Sequence, residues 1–243
     1  MRDFVLLFVN GVEHRVSGDD VFMPLSDFLR YSLSKCGTKV VCAEGDCGAC
    51  TVFLGRLNTE KNDLEYVPVN ACIQYLHQLD CTHIVTVEGL KIDGELNRIQ
   101  QSMVDCHGAQ CGFCTPGFIV AMCSMFEEKC KPDNQKVRDA LTGNLCRCTG
   151  YESIIKAALS VDETQYQRLV TLYPPAAIVS EFKKHQAEPV TVTGSQSVYF
   201  KPVDVKSAVN FKSANSGTVI ISGGTDICVN LNKGRIEPKH IMA

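Results

Sequence analysis

The sequence predicts an α+β protein with three parts: a small domain of strands around one helix, a compact domain of about four helices, and an α/β segment at the C-terminal end. Three observations lead to this prediction. Apolar runs separated by turn residues fill about the first 90 residues. Apolar residues recur with a helical period from Glu95 onward. Eight of the 14 cysteines fall into two spaced groups, one in each of the first two parts.

The first part, residues 1–90, has the pattern of a β-grasp fold. Residues 3–9 are rich in Val, Leu and Phe but alternate poorly, and Asn10-Gly11 after them is a strong hairpin signal. Val12–Val16 is predicted to be the second strand, and a helix is predicted from Pro24 to about Leu33. The remaining elements are a short helix over residues 73–79 and strands over residues 51–55, 64–69 and 84–88.

The first cysteine group lies in this domain and has the spacing C-x4-C-x2-C, with a fourth cysteine 22 residues further on. Its members are Cys42, Cys47, Cys50 and Cys72. This is the spacing of plant-type ferredoxins, and it predicts a 2Fe–2S cluster with two thiolates on each iron. Gly45 and Gly48 would let the backbone wrap closely around such a cluster. A structural zinc site, which also uses four thiolates, is the alternative.

The second part, residues 91–165, is predicted to be helical. Ile99, Met103 and Val104 form one apolar stripe, and further helices are predicted over residues 117–128, 137–141 and 154–161. The second cysteine group consists of Cys111 and Cys114 before a helix and Cys146 and Cys148 after one. Two loops at adjacent helix ends could close a four-thiolate site. Its spacing alone leaves zinc open, although a C-x-C pair is unusual for a tetrahedral zinc knuckle.

Residues 166–194 carry Pro174-Pro175 and weak periodicity, and are interpreted as an interdomain linker. Residues 195–243 then read as a strand over 198–203, a helix over 204–214 capped by Asp204, and a strand over 218–222. That strand leads into Gly223-Gly224-Thr225-Asp226, a glycine turn that could cradle a phosphate. An ordinary turn is the alternative.

Composition excludes several classes of function. A net charge of −3 gives no reason to expect nucleic acid or an anionic membrane as a partner. The apolar run Phe4–Val9 is too short for a signal peptide or a membrane span, so a cytoplasmic location is expected. No Ser/His/Asp or paired-carboxylate arrangement is evident, and no catalytic residue is predicted.

Six cysteines outside the two groups are expected to be buried small apolar residues: Cys36, Cys81, Cys106, Cys123, Cys130 and Cys228.

Four motifs together resemble the iron–sulfur part of xanthine dehydrogenase and its molybdenum hydroxylase relatives. They are Gly45-Asp46-Cys47-Gly48-Ala49-Cys50-Thr51-Val52, Val85-Thr86-Val87-Glu88-Gly89, Gln110-Cys111-Gly112-Phe113-Cys114-Thr115-Pro116-Gly117 and Gly143-Asn144-Leu145-Cys146-Arg147-Cys148-Thr149-Gly150-Tyr151. The resemblance covers about residues 4–160, and the segment from Tyr199 onward resembles the start of the family's flavin domain. In the order of its parts the chain is similar to the small iron–sulfur/FAD subunit of two-subunit xanthine dehydrogenases.

The resemblance implies a series of electron carriers. Both cysteine groups would hold 2Fe–2S clusters, the second nearer a molybdopterin cofactor on a large partner subunit and the first nearer FAD, with NAD as the final acceptor. Gln110 would contact the pterin. The residues implied to bind FAD are Ile220, Ile221, Ser222, Gly223, Gly224, Thr225, Asp226 and Ile227. The chain would be an oxidoreductase subunit, inactive alone, in a hetero-oligomer that oxidises xanthine or hypoxanthine.

Two features depart from the family pattern. Glu152-Ser153 follows Tyr151 where the family usually has Arg-Pro. Only about 45 residues of the flavin domain are present, so that domain is expected to be truncated and to bind FAD weakly or not at all. Three other functions compete: the small subunit of an aldehyde oxidase-type hydroxylase, a stand-alone 2Fe–2S carrier, and a zinc-stabilised interaction module.

Overall fold

A computed structural model of the chain describes residues 2–129 and 131–243 and has a mixed α/β architecture. Its N-terminal sheet has five strands in the order β2-β1-β5-β3-β4. The bounds are β1 Val5–Val9, β2 Val12–Val16, β3 Thr51–Asn58, β4 Asp63–Asn70 and β5 Thr82–Val85. Strands β1 and β5 are parallel, and the other neighbours are antiparallel. Asn10 (φ 50°) and Gly11 (φ 81°) form the predicted hairpin turn between β1 and β2.

Strand β1 is buried on both faces. Leu6 and Phe8 belong to one apolar cluster, whereas Val5, Leu7 and Val9 belong to another on the opposite side. Successive side chains of a strand point to opposite faces. A strand covered on both faces needs apolar residues at every position, which explains why residues 3–9 alternate poorly.

The helix predicted from Pro24 is present as α1, Leu25–Asp27, extended by a π turn over Phe28–Ser32. It buries Leu25 and Leu29 against the sheet. The short helix predicted over residues 73–79 is instead two 3₁₀ turns, Ala71–Ile73 and Leu76–Gln78. The strand predicted over residues 84–88 begins two residues earlier and ends at Val85, where a 3₁₀ turn follows.

Four helices form the next part of the chain: α2 Arg98–Asp105, α3 Thr115–Glu127, α4 Asn134–Ala140 and α5 Glu152–Leu159. Ile99 and Met103 are buried in their core, but Val104 is 57% exposed and does not belong to the predicted stripe. The spacing i, i+4 keeps residues 99 and 103 on one face of the helix, whereas residue 104 is turned away from it. The most apolar helix, α3, buries Phe118 and Phe126 at the centre.

Residues 166–194, interpreted from sequence as a linker, contain regular structure. They include α6 Leu169–Leu172, α7 Pro175–His185 and β6 Val190–Thr193. Helix α7 buries Phe182 against Leu6 and Phe8 of the first sheet, with the two phenyl rings 5.7 Å apart. Pro175 occupies the first helical turn, where proline is well tolerated. Pro174-Pro175 therefore marks a helix start, and residues 166–194 carry regular structure.

The C-terminal segment forms a second sheet in the order β6-β7-β9-β8. Its further elements are β7 Val198–Lys201, α8 Val205–Ala214, β8 Val219–Ile220, α9 Ile227–Asn232 and β9 His240–Met242. Asp204 caps α8 as predicted, by accepting a hydrogen bond from the Ser207 amide at 2.7 Å. Helix α9 and strands β6 and β9 were not predicted. Tyr199, Cys228 and Ile241 of this segment share one apolar core with β1 and β3.

A buried charge network also joins the two sheets. Arg2 donates two hydrogen bonds to Asp80, at 2.8 and 2.7 Å, and Lys201 donates a third to the same carboxylate at 2.6 Å. The Leu6 amide donates to it as well. The side chains of Arg2 and Asp80 are each only 3% exposed. Arg2 and Lys201 of strand β7 therefore meet at one carboxylate, which lies two residues before β5.

Candidate metal centres

The first cysteine group is brought together by the loop before β3 and the 3₁₀ turn after β4. Its thiols are paired: Cys42 hydrogen-bonds with Cys47, and Cys50 with Cys72. Glycines shape the loop as expected, since Gly45 has φ 75° and a Cβ there would overlap Ile73. The structure therefore gathers all four predicted ligands.

Backbone amides point at the sulfur atoms of this site. The amides of Glu44 and Cys47 each lie 3.5 Å from the Cys42 sulfur, and the Cys72 amide lies 3.4 Å from the Cys50 sulfur. Burial raises the pKa of Cys42, but the amides of Glu44, Cys47 and Asp46 outweigh it and lower the pKa to about 7. Thiolates are the form that binds metals. These amides thus favour negative charge on the Cys42 sulfur, whereas the pKa of Cys47 is raised, mainly by burial.

The second cysteine group is also paired. The Cys148 and Cys111 sulfur atoms lie 3.6 Å apart, and Cys114 hydrogen-bonds with Cys146. Cys111 and Cys114 lie directly before α3, and the other two follow α4, so the loops meet at adjacent helix ends as predicted. Burial, followed by the Cys146 hydrogen bond, raises the pKa of Cys114 to about 12, whereas Thr149 and nearby amides outweigh burial and lower the pKa of Cys146.

Two pairs of thiols at each site fit a two-iron cluster better than one zinc ion. A 2Fe–2S cluster takes four cysteine thiolates, two per iron. A structural zinc ion needs four ligands converging on one point. The donor set at both sites therefore fits a 2Fe–2S cluster.

The two sites contact each other through hydrogen bonds to main-chain carbonyls of the first site. The Leu145 amide donates to the Cys47 carbonyl at 3.0 Å, and the Asn144 side chain donates to the Gly48 carbonyl at 2.9 Å. Leu145 precedes Cys146 in the chain. Cys47, a predicted ligand of the first site, thus accepts a hydrogen bond from the residue next to Cys146, a predicted ligand of the second site.

Gly117 makes this contact possible, and we expect Gly117→Ala to disrupt it. A Cβ at Gly117 would overlap the Gly48 carbonyl oxygen, which is main chain and cannot swing aside. We expect the free energy of unfolding to fall by about 1–3 kcal/mol, as for other overpacked sites, and urea titration measures it. Gly143→Ala is the matched control, because a Cβ there meets nothing within 4 Å. Equal stability of the two variants would contradict the packing argument.

Comparison with known proteins decides the family. Residues 86–159 match the family described as "[2Fe-2S] binding domain". Xanthine dehydrogenase/oxidase of Mus musculus is 38% identical over 154 residues, and aldehyde oxidase 1 of Rattus norvegicus is 41% identical over 154 residues. Each of these two matches covers 63% of this chain and 12% of the relative. A chain of quinoline 2-oxidoreductase from Pseudomonas putida 86 superposes with a TM-score of 0.56 at 31% identity. That match covers 75% of this chain and 96% of the other.

The chain belongs to the iron–sulfur components of the molybdenum hydroxylase family. It is therefore an iron–sulfur protein of the oxidoreductase class. It spans about an eighth of the length of the curated relatives named above. The resemblance that the four motifs predict is confirmed.

The segment predicted to bind FAD lines two small cavities. Ser222 and Gly223 are exposed and line a cavity of about 250 Å³ with Arg56. Ile221 and Ser222 line a second cavity, of about 280 Å³, with Lys201. Pockets that enclose a drug-sized ligand measure roughly 300–1,000 Å³. These cavities could hold part of a dinucleotide, but not the whole of FAD.

Other predicted residues differ in their surroundings. Gln110 is exposed beside the second site, where a partner could reach it. Of the six remaining cysteines, Cys81, Cys123 and Cys228 are buried as predicted, but Cys36 is exposed and Cys106 is half-buried. Cys130 lies outside the described residues.

One residue in contact with the first cysteine site, Asn232, was not singled out from the sequence. It donates hydrogen bonds into the first cysteine site from a distance of more than 150 positions along the chain. No local pattern marks such a residue. The described residues also contain no helix long and apolar enough to cross a membrane.

Proposed function

We propose that this chain is the electron-transfer component of a molybdenum hydroxylase, with xanthine dehydrogenase as the first choice. The observation that carries the proposal is the direct contact between the two cysteine sites, through the hydrogen bond from Leu145 to Cys47. A 2Fe–2S cluster, when bound, accepts and donates single electrons. Two cluster sites in direct contact are suited to passing electrons in series. A structural metal site does not need such a contact.

In this proposal the four cysteines of each site are the cluster ligands. They are Cys42, Cys47, Cys50 and Cys72 at the first site and Cys111, Cys114, Cys146 and Cys148 at the second. The amides near Cys42 stabilise negative charge on sulfur and so help to set the reduction potential. The helical domain is taken as residues 91–165 and the ferredoxin-like domain, of β-grasp type, as residues 1–90.

The second site is proposed to face the molybdopterin-binding partner subunit. Cys111 and Cys148 are exposed, and they are flanked by Phe113 and Leu145, which are 50% and 53% exposed. Apolar side chains exposed around a site are typical of a surface that a partner covers. Gln110 lies at the same surface and is proposed to contact the pterin. The first site is more enclosed, with Cys50 and Cys72 only 2% exposed.

In this proposal the site that determines the substrate of the whole enzyme is on the molybdopterin-binding partner subunit. The xanthine dehydrogenase and aldehyde oxidase relatives have similar sequence identities to this chain, 38% and 41%. An aldehyde oxidase-type hydroxylase is therefore the second candidate. NAD is proposed as the final acceptor, with the chain inactive unless joined to its partner. A reducing compartment such as the cytoplasm suits the free cysteines of the described residues.

Metal analysis and EPR test the proposal directly. We expect the purified chain to contain iron and sulfide for two 2Fe–2S clusters and, after reduction, two distinct EPR signals. One cluster only would contradict the series arrangement. Zinc in place of iron would favour the interaction module.

Flavin binding by this chain alone is expected to be weak or absent. The two cavities beside Ser222, of about 250 and 280 Å³, are smaller than pockets that enclose a drug-sized ligand. The measurement is the flavin absorbance that remains after the chain has been mixed with FAD and desalted. A stoichiometric yellow chromophore would contradict the expectation.

A further inference from the structure

We propose that Asn232 is a positioning residue that holds the two halves of the first cluster site together. Helix α9, on which it lies, belongs to the segment predicted for flavin binding, and the sequence gives it no role at the cluster. The inference rests on the proposed function only in taking Cys42, Cys47, Cys50 and Cys72 as the ligands of one cluster.

The side-chain amide of Asn232 uses both of its N–H donors on this site. Its nitrogen donates to the Ala43 carbonyl at 2.9 Å and to the Cys72 carbonyl at 2.8 Å. Its oxygen accepts a hydrogen bond from the Tyr75 hydroxyl at 2.8 Å. An asparagine amide has two donor hydrogens, and both are satisfied here. The amide orientation is therefore fixed by three partners from two separate segments.

These two carbonyls belong to different halves of the site. Ala43 directly follows Cys42, whose thiol pairs with Cys47, whereas Cys72 pairs with Cys50. Asn232 therefore connects the segment of one thiol pair to the segment of the other. Ala43 also has φ 55°, a left-handed conformation that costs an alanine free energy and persists only where surrounding contacts hold it.

Asn232 is held in place by contacts elsewhere on its own segment. Cys228, one turn earlier, is fully buried in the shared core, with its sulfur 3.3 Å from the Gln78 side chain. Lys233, the next residue, forms an ion pair with Glu44 of the cluster loop. That pair is exposed and contributes little by itself. The buried Cys228 therefore positions the helix, and Asn232 transmits that position to the cluster loop.

Loss of the amide should loosen the first site without affecting the second. Groups that orient metal ligands without binding the metal typically change metal affinity 10–100-fold when mutated. Because the ligand loop would then move relative to Cys72, we also expect the EPR line shape and the midpoint potential of the first cluster to change. The second cluster should keep its own signal, since the hydrogen bonds described for Asn232 go to Ala43, Cys72 and Tyr75.

The test is Asn232→Leu in the full chain, with Asn230→Leu as the matched control. Asn230 lies on the same helix, but its side chain bonds within its own segment, to Asp226 and Arg235. Iron removal by a chelator is followed by EPR, using the signal that survives in Cys148→Ser to identify the first cluster. We expect about tenfold faster loss of that signal in Asn232→Leu and wild-type rates in Asn230→Leu.

Unchanged loss rate, line shape and potential in Asn232→Leu would overturn the inference. Should that variant not fold, Tyr75→Phe removes only the hydroxyl that orients the amide and is expected to shift the same signal in the same direction. A wild-type response in Tyr75→Phe would then overturn it. Absence of the first signal from the wild-type chain is a different result, because it would contradict the ligand assignment itself.

Discussion

Replacing Cys148 by serine is expected to abolish one of the two EPR signals and to remove half of the iron. Its sulfur lies 3.6 Å from that of Cys111, so the two thiols are placed to share one iron. A serine hydroxyl is a poor substitute for a thiolate, and a cluster lacking one of four thiolates is lost or strongly altered. The first site should keep its cluster, because its ligands lie in other elements.

The control for this variant is Cys36→Ser. Cys36 is exposed and belongs to neither cysteine group, so both signals should persist. Loss of both signals in Cys148→Ser would contradict two separately held clusters. An unaltered spectrum would remove Cys148 from the ligand set.

The second large effect is expected from Asp80→Asn, which should lower the free energy of unfolding by about 3 kcal/mol. Asp80 is the only carboxylate that contacts both Arg2 and Lys201 among the described residues, and its side chain is 3% exposed. Neutralising it leaves two cations facing each other with little water to solvate them. A urea-unfolding midpoint lower by about 1 M measures this loss.

The effect of Asp80→Asn should depend on pH. Burial raises the pKa of Asp80, but the hydrogen bond from Arg2 and the charge of Lys201 outweigh it, so the pKa lies below its ordinary value. A lowered pKa in the folded state means that the stabilisation is fully present above the unfolded-state pKa of about 4 and is lost as the pH falls further. The two proteins should therefore converge in stability only in acid.

Glu13→Gln is the matched control for Asp80→Asn. Glu13 pairs with Arg15, but both side chains are at least 36% exposed, and exposed pairs contribute about 0–1 kcal/mol. A loss in Glu13→Gln as large as in Asp80→Asn would indicate that net charge, and not the buried network, determines stability.

Local chemistry made much of the fold predictable. Asn10-Gly11 and Asp204 act within a few residues, and the structure places the turn and the helix start accordingly. The cysteine groups were recognised by their spacing, and the structure pairs Cys42 with Cys47. The glycines that allow close approach at Gly45 and Gly48 were found for the same reason.

Features that depend on distant partners were not predictable. Helix α7 has a short apolar face that packs against Leu6 and Phe8, more than 160 positions away along the chain. Because these partners are distant in sequence, the segment was interpreted as a linker. Strand β9 is three residues long and exists because β7 and β8 flank it in parallel. No neighbouring residue marks Asn232 in the sequence, and its hydrogen bond to Ala43 forms only in the folded chain.

The shared core of the two sheets has a consequence for how the protein is made. The helical domain uses one continuous stretch of chain, so both loops of its cysteine site can meet soon after Leu159 has been synthesised. The first cysteine site, by contrast, acquires its hydrogen bonds from Asn232 only after residue 232 has left the ribosome. Domains generally fold in the order of synthesis. The cysteine site encoded second can therefore assemble before the one encoded first.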